Sequence, residues 1–310
     1  SRAGEPEISS FRSGSAQVNR EPVQLSLRRR HGFIKRFTKQ KAPLGSLMFL
    51  LVLTLLSVGG YQLGMLDGGT IDIDASFAGP SLEHPLGNDD LGRDFLARVL
   101  AGCRLSLLTA GFSVLIGSVA GVVPGLVAGY RGGGFDYVAG RIADALMTIP
   151  GLVLSVSLVA ALGPGVTQVA IAIGVAFAPR FFRIARASAM AVAPLTYMRA
   201  LEATGARQSR LLLRHVLPNA FPAIVVQGSL MFGYGVLAEA SLSYLGFGAQ
   251  PPDASLGTLL QRGTQFMTES AYLTVMPGIV IVAIVLAANT VGDGIQSALG
   301  REALGRAVGK

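Results

Sequence analysis

The sequence predicts an all-α polytopic membrane protein with six transmembrane helices and both termini on the cytoplasmic side. Three observations lead there. Of the 310 residues 51% are hydrophobic and only 14% charged, where a water-soluble domain carries about 25% charged residues. The charge that exists gathers between uncharged runs, several of them longer than the roughly 20 apolar residues that a bilayer core requires. The basic residues also divide very unevenly between the two sides that those runs define.

The spans follow in order. Ala42 to Leu66 carries no charge and forms the first. It lies behind a long basic segment and is long enough to cross, so it reads as a span and not as a cleavable signal peptide. Leu105 to Tyr130, uncharged over 26 residues, forms the second. Ala145 to Pro179 is uncharged for 35 residues, too long for one helix. The Leu162-Gly163-Pro164-Gly165 stretch breaks it by turn chemistry into spans three and four. Val216 to Ala238 gives the fifth and Ser270 to Gly292 the sixth.

Orientation follows from Lys and Arg, which are retained on the cytoplasmic side. With the N-terminus inside, the inner segments hold 10 basic residues in 1–43, 2 in 131–141, 7 in 180–214 and 3 from Arg301 onward. The outer segments hold only Arg93, Arg98, Arg104 and Arg262. The predicted organisation is a basic cytoplasmic segment over 1–41, a transmembrane domain over 42–300, and a cytoplasmic tail over 301–310. Within the domain lie an outer loop at 67–104 and a cytoplasmic loop at 188–218. Residues 1–30, rich in Ser, Arg, Glu and Gln, read as disordered or surface-associated.

The net charge of +8 does not indicate nucleic acid, because the basic residues flank apolar spans and lack interleaved aromatics. One cysteine, Cys103, excludes an intrachain disulfide, and three distant histidines (His31, His84, His215) argue against a metal centre. Only four lysines are present, and no phosphate-cradling Gly-rich loop ends in Lys-Ser or Lys-Thr. No catalytic nucleophile–base constellation occurs, so no residue is assigned a catalytic role. The outer 67–104 loop carries Asp67, Asp72, Asp74, Glu83, Asp89, Asp90 and Asp94 and reads as a solvated acidic loop.

The most informative segment lies between spans four and five. Residues 196–204 contain no Pro or Gly and suit a short helix; Gly205 ends it in a left-handed conformation; a second helical stretch, 207–216, leads into Pro218. The product is a helix–turn–helix knob in the cytoplasm. It resembles the "EAA" coupling loop of bacterial ABC importer permeases, in which a Gly follows the Glu by six residues and a Leu-Pro pair follows twelve later. Gly205 and Leu217-Pro218 keep that spacing. Residues 84–94, reading HPLGNDDLGRD, resemble a stretch before the second span of dipeptide, oligopeptide and nickel permeases. Tyr130 with the following Arg-Gly-Gly, Asp136, Asp144 and Pro150 match the next segment. Residues 239–252, reading EASLSYLGFGAQPP, resemble a further signature, and Asn289 with Gly292-Asp293-Gly294 match the last span. These matches run in order over about two-thirds of the chain and resemble the C-type subunit of a dipeptide or oligopeptide importer.

The resemblance implies a pore-forming subunit of the cytoplasmic membrane without a cofactor of its own. ATP and magnesium would be bound by one or two partner ATPases, with a second, B-type permease and an extracytoplasmic binding protein completing the complex. It assigns ATPase coupling to Tyr197, Arg199, Ala200, Glu202, Ala203, Gly205, His215, Leu217 and Pro218. Two departures accompany it. Arg199 and Leu201 stand where the family has Glu and its second Ala, with Glu202 one turn on, and both Arg199 and Glu202 are expected at the ATPase groove. Ser255-Leu256-Gly257 stands where relatives often have Ser-Trp-Gly, and this chain has no Trp.

Ionisable and polar residues near the spans, Asp144, Glu239, Ser243 and Asn289, are candidates for a pathway or gate, since burying such groups is costly. For Asp144 and Asp293 the stronger reading is inter-helix hydrogen bonding. Arg180, Arg183 and Arg186 follow span four on one helix face and read as snorkelling to lipid phosphate. Asp89, Asp90, Arg93, Asp94 and Gln250 are candidates for docking the binding protein. A secondary, ion-driven transporter would need an internal repeat, and none is visible. Nickel or another small solute carried by relatives stays open as cargo.

Overall fold

A computed structural model describes residues 36–62 and 71–307; most of the predicted basic segment, the end of the first predicted span with Asp67, and residues 308–310 lie outside the described residues. The described residues form helices joined by turns, with one isolated antiparallel bridge between Asn88 and Asp94. In chain order the helices are α1 (Lys41–Gln62), α2 (Phe95–Arg131), α3 (Gly133–Thr148), α4 (Gly151–Leu162), α5 (Val166–Val192), α6 (Thr196–Ala203), α7 (Gln208–Leu211), α8 (Leu217–Tyr244), α9 (Leu256–Gln265) and α10 (Tyr272–Ala307). A π-helical turn over Leu212–Val216 joins α7 to α8 without a break.

Five stretches are long and apolar enough to cross a membrane: α1, α2, α5, the continuous run Gln208–Tyr244, and the 272–299 part of α10. The third predicted span is not a straight helix. α3 and α4 pass the same test only as a pair, and they meet at 94°. The cause is local: Ile149 is extended, at φ −86° and ψ 128°, as the ring of a following proline demands. The count is therefore five spans, or six if the bent pair is one.

Two other boundaries move. α2 starts at Phe95, ten residues before the uncharged run, because the Asp94 side chain accepts a hydrogen bond from the Ala97 amide at 2.8 Å and caps the helix. α5 passes through Pro179 and ends at Val192, so Arg180, Arg183 and Arg186 stand inside a helix instead of beyond its end. A proline forfeits one backbone hydrogen bond, which a membrane helix tolerates where neighbours cover it; Pro179 is buried. The expected break between α4 and α5 is present, with Gly163 at φ 88° and Gly165 at φ 150°.

The most extensive helix–helix contact among the described residues is between α2 and α5. Gly117, Gly121, Gly125 and Gly129 recur every four residues and so share one helix face. The α5 backbone lies directly on that stripe. A Cβ at Gly121 would fall 2.2 Å from the Ala178 carbonyl oxygen, and one at Gly129 2.3 Å from that of Arg186. Small residues permit such approach, and between membrane helices, where lipid offers no hydrophobic drive, close packing supplies the attraction. Val122 and Leu126 flank the stripe against Val169, Ile173, Phe177 and Phe181. A second cluster joins Phe95, Val99 and Leu107 of α2 to Val236 of α8, Leu256 of α9 and Ile284 of α10. Outward faces stay apolar, with Leu55, Val123 and Leu286 well exposed, as a lipid-facing surface requires.

Gly121→Ala is expected to lower stability by about 1–3 kcal/mol through overpacking. Gly111→Ala, whose new methyl meets nothing within 4 Å, is expected to be neutral or slightly stabilising. Thermal unfolding of the detergent-solubilised protein measures both; equal melting temperatures would contradict the close α2–α5 seam.

Candidate functional site

The 196–218 segment folds as the expected knob. Met198, fully buried, and Leu201, half-buried, face inward one turn apart, while Tyr197, Arg199, Ala200, Glu202 and Ala203 are exposed. α6 closes with Gly205 at φ 78°. The Gly205 amide donates to the Glu202 carbonyl at 2.9 Å and the Ala206 amide to the Leu201 carbonyl at 3.1 Å. This pair of bonds defines a Schellman cap, and Leu201 and Ala206 both pack against the same apolar cluster. Leu211 and Leu212 bury the second half of the knob.

Its exit is smoother than expected. Pro218 has no amide hydrogen and its ring would strike the carbonyl four residues back. The wider π turn at Leu212–Val216 makes room for it, and the Asn219 side chain donates to the His215 carbonyl at 2.7 Å. The knob encloses a concavity of about 540 Å³ lined by Leu201, Gly205, Arg207, Arg210 and His215. The Tyr197 and His215 rings lie 6.3 Å apart.

Two side-chain bonds fasten the knob to the end of α2. The Tyr130 hydroxyl donates to the Glu202 carboxylate, and Arg131 Nε donates to Gln208 Oε1 at 2.9 Å. Arg199 and Glu202 are both exposed, but the Glu202 carboxylate is turned back to α2. The sequence spacing that put both at one groove carries no sign of that tie.

A ladder of guanidinium groups descends α5. Arg186 binds the Asp136 carboxylate of α3 through two nitrogens, and Arg183 binds Asp144 at 2.6 Å. The reading of Asp144 as inter-helix glue accounts for this pairing. Arg180 differs: it lies 5.8 Å over the Tyr234 ring and 3.7 Å from Met231 Sδ, and no carboxylate of the described residues is within ion-pair distance. Arg180 and Tyr234 border a cavity of about 290 Å³ between α4, α5 and α8, lined also by Leu152, Ser155, Phe177 and Ser241. Asp144, Glu239, Ser243 and Asn289 do not line it.

Glu239 and Ser243 point the other way, into the seam between α8, α2 and α9. Glu239 is 2% exposed; its Oε1 accepts from Ser243 Oγ at 2.6 Å, its Oε2 is buried without a hydrogen-bond partner among the described residues, and the Ser106 and Ser255 hydroxyls lie near the carboxyl. Ser106 Oγ accepts from the Leu256 amide at 3.2 Å, and Ser255 caps α9. Gly257 fits because a Cβ there would fall 2.3 Å from the Ala240 carbonyl. Asn289 is half-buried on α10, opposite Gly233; Asp293 is exposed.

The outer motif at 84–94 is a self-contained knot. Asp89 is buried against Arg93 at 2.6 Å and also accepts the Leu91 and Arg93 amides at 2.9 and 3.0 Å. Asp94 caps α2 and meets His84 Nδ1 at 2.8 Å. Asp90 forks onto Arg262 of α9 at 2.6 and 2.9 Å and holds that guanidinium above its usual range. Asp89 and Arg93 thus present no free polar group to a docking partner, because each already occupies the other. Asp90 and Asp94 are likewise engaged within the chain, and of the five docking candidates only Gln250 is exposed. The acidic loop is solvated only in part, at Asp72, Asp74 and Glu83. Among the described residues no group of three or more His, Cys, Asp or Glu is placed to hold a metal ion.

Helices of spanning length around a lateral cavity, with an exposed knob at one end, define a multi-pass membrane permease. The chain belongs to the family of binding-protein-dependent transport system inner membrane components, whose model matches residues 121–304. It is the membrane component of an ABC importer, located in the inner membrane, and not the ATPase. It is 37% identical over 268 residues to the glutathione transport system permease protein GsiD of Pectobacterium atrosepticum, covering 86% of this chain and 89% of that one. It is 36% identical over 270 residues to GsiD of Escherichia coli O1:K1, covering 87% and 89%. Two structures of the MetNI methionine ABC transporter in inward-facing conformations share the fold. They match with TM-scores of 0.54 and 0.51 at 20% identity, over 66% and 64% of this chain and 97% and 94% of theirs.

Glu239→Ala is expected to cost about 1–3 kcal/mol by stranding the serine hydroxyls that it serves. Glu239→Gln keeps an acceptor oxygen and is expected to remain near wild type in both melting temperature and uptake. A Gln variant that stays folded but loses uptake would give the carboxylate a direct part in transport.

Proposed function

We propose that this chain is one of two pore-forming permeases of a heteromeric importer for short peptides, including glutathione-like tripeptides, with both of its termini in the cytoplasm. The chemistry implied by the relatives' names and by the ordered motifs is ATP-driven uptake. One or two partner ATPases bind ATP and magnesium, a B-type permease completes the pore, and an external binding protein delivers the cargo.

The observation that carries this reading is the knob: an exposed, Gly-capped helical reversal that is buried only along its inner edge. An exposed face of Tyr197, Arg199, Ala200 and Ala203 suits insertion into a groove of another subunit. The Tyr130–Glu202 and Arg131–Gln208 bonds then pass its displacement to α2. ATP closes the ATPase pair, the knob moves with it, and the spans shift from an inward-open to an outward-open arrangement. Such a shift requires that ATP bind one state more tightly than the other. On the outer side, Gln250 and the exposed rim at Asp72, Asp74 and Glu83 are the surface offered to the binding protein, in place of the buried Asp89–Arg93 pair.

Reconstituted with its partners, the importer is expected to accumulate labelled glutathione when ATP is supplied and the proton gradient is collapsed. Uptake that follows the gradient and ignores ATP would overturn the reading. Gly205→Val forces a β-branched residue into a left-handed conformation, a cost of about 1–2 kcal/mol. It is expected to reduce uptake several-fold while the complex still hydrolyses ATP. Arg199→Trp is expected to weaken co-purification of the ATPase; intact assembly and transport would remove the knob from the interface.

A further inference from the structure

We propose that Arg180, in the cavity between α4, α5 and α8, is a transient subsite for a carboxylate of the transported peptide. The inference rests on the importer reading above and adds to it a residue and a ligand group. Three features set this guanidinium apart. The first is its depth: Arg180 follows Val166 by 14 residues along the 27-residue α5, which places it about 21 Å from one end of a helix about 40 Å long. Arg180 is exposed there, and an ionisable residue within a helix of spanning length is a functional candidate, because such a charge is tolerated where it faces a partner or a water-filled space.

The second is that no carboxylate of the described residues pairs with it. Arg183 and Arg186, one and two turns further along α5, each bind an aspartate of α3. Among the described residues Arg180 meets the face of Tyr234 and the sulfur of Met231. Both orient a guanidinium without neutralising it, and its fork of donors is matched to a carboxylate. The third is its setting. The cavity of about 290 Å³ is walled by Leu152, Ile173, Phe177 and Leu237, with the hydroxyls of Ser155 and Ser241 as its other side-chain polar groups besides Tyr234. Apolar walls with a few converging polar groups are the usual make-up of a small-molecule site, and this volume lies at the lower limit of such sites. It admits one end of a peptide, not the whole of it. The neighbouring Arg183–Asp144 and Arg186–Asp136 pairs are already neutral.

The test uses the assembled importer in proteoliposomes with its binding protein. The cargo is S-methylglutathione, which carries the peptide carboxylates and no reactive thiol. Arg180→Cys provides an addressable thiol, since the native Cys103 is buried. A charged hydrogen-bonded pair of this kind is expected to raise KM about 10- to 100-fold when lost, with all subunits still co-purifying. Modification with the cationic aminoethyl methanethiosulfonate is expected to restore most of the affinity; the anionic sulfonatoethyl reagent is expected not to. Bound cargo is expected to slow both modifications. Arg180→Lys, which keeps the charge, is expected to fall between wild type and the cysteine variant. Unchanged KM, equal rescue by either reagent, or loss of subunit assembly in both variants would overturn the proposal. The last outcome would mean that Arg180 pairs with another subunit. Failure of the wild-type importer to take up the cargo with ATP is a different result: it removes the importer reading and this proposal with it.

Discussion

Backbone lies against backbone where α2 crosses α5, and that contact sets the position of the rest of the chain. Four glycines at four-residue spacing bring the α5 carbonyls to where a methyl group would otherwise be. In lipid the usual hydrophobic drive between helices is absent, so attraction depends on how closely the helices approach and how many atoms then touch. A seam of this kind is stiff, because bulk added anywhere along it separates both backbones. α2, about 55 Å long, therefore forms with α5 a single strut that reaches from the knot at 84–94 to the knob at 196–218.

Function is distributed along that strut. At one end Asp94 caps α2, and the buried Asp89–Arg93 pair stiffens the turn leading into it. Asp90 carries the connection to Arg262 on α9. Near the same end, the Glu239 and serine seam holds α9 against α2 and α8. Along α5 the paired arginines fix α3 and leave Arg180 open to the cavity. At the other end Tyr130 and Arg131 hold the knob. In the proposed cycle, motion delivered at the knob would reach the cavity walls through helices, not through loops.

Much of this was legible in the residues. Gly205 and Leu217-Pro218 located the knob, because a left-handed cap and a helix-start proline have few alternatives, and the Gly163–Gly165 break was equally plain. Hydropathy failed where charge and helix end do not coincide. The uncharged run stops at Pro179, yet α5 continues because its arginines find aspartates on α3. The bend at Ile149-Pro150 was hidden inside an apolar run, although the proline was its cause. The glycine stripe of α2 is visible as a repeat of small residues, but a count of spans passes over it. The outer carboxylates are harder still: composition makes Asp89 and Asp90 a solvated pair, and only the fold brings Arg93 and Arg262 onto them.

The central claim is that knob and strut move as one body when the ATPases close. Spin labels at Ala203→Cys in the knob and Leu115→Cys on α2, both exposed positions, report on it in the assembled importer, since Cys103 is buried. Their separation, measured by pulsed electron resonance without nucleotide and in an ATP-trapped state, is expected to stay the same while the complex remains able to hydrolyse ATP. A change approaching one helical turn, about 5 Å, would show the knob moving independently of α2 and would contradict the account.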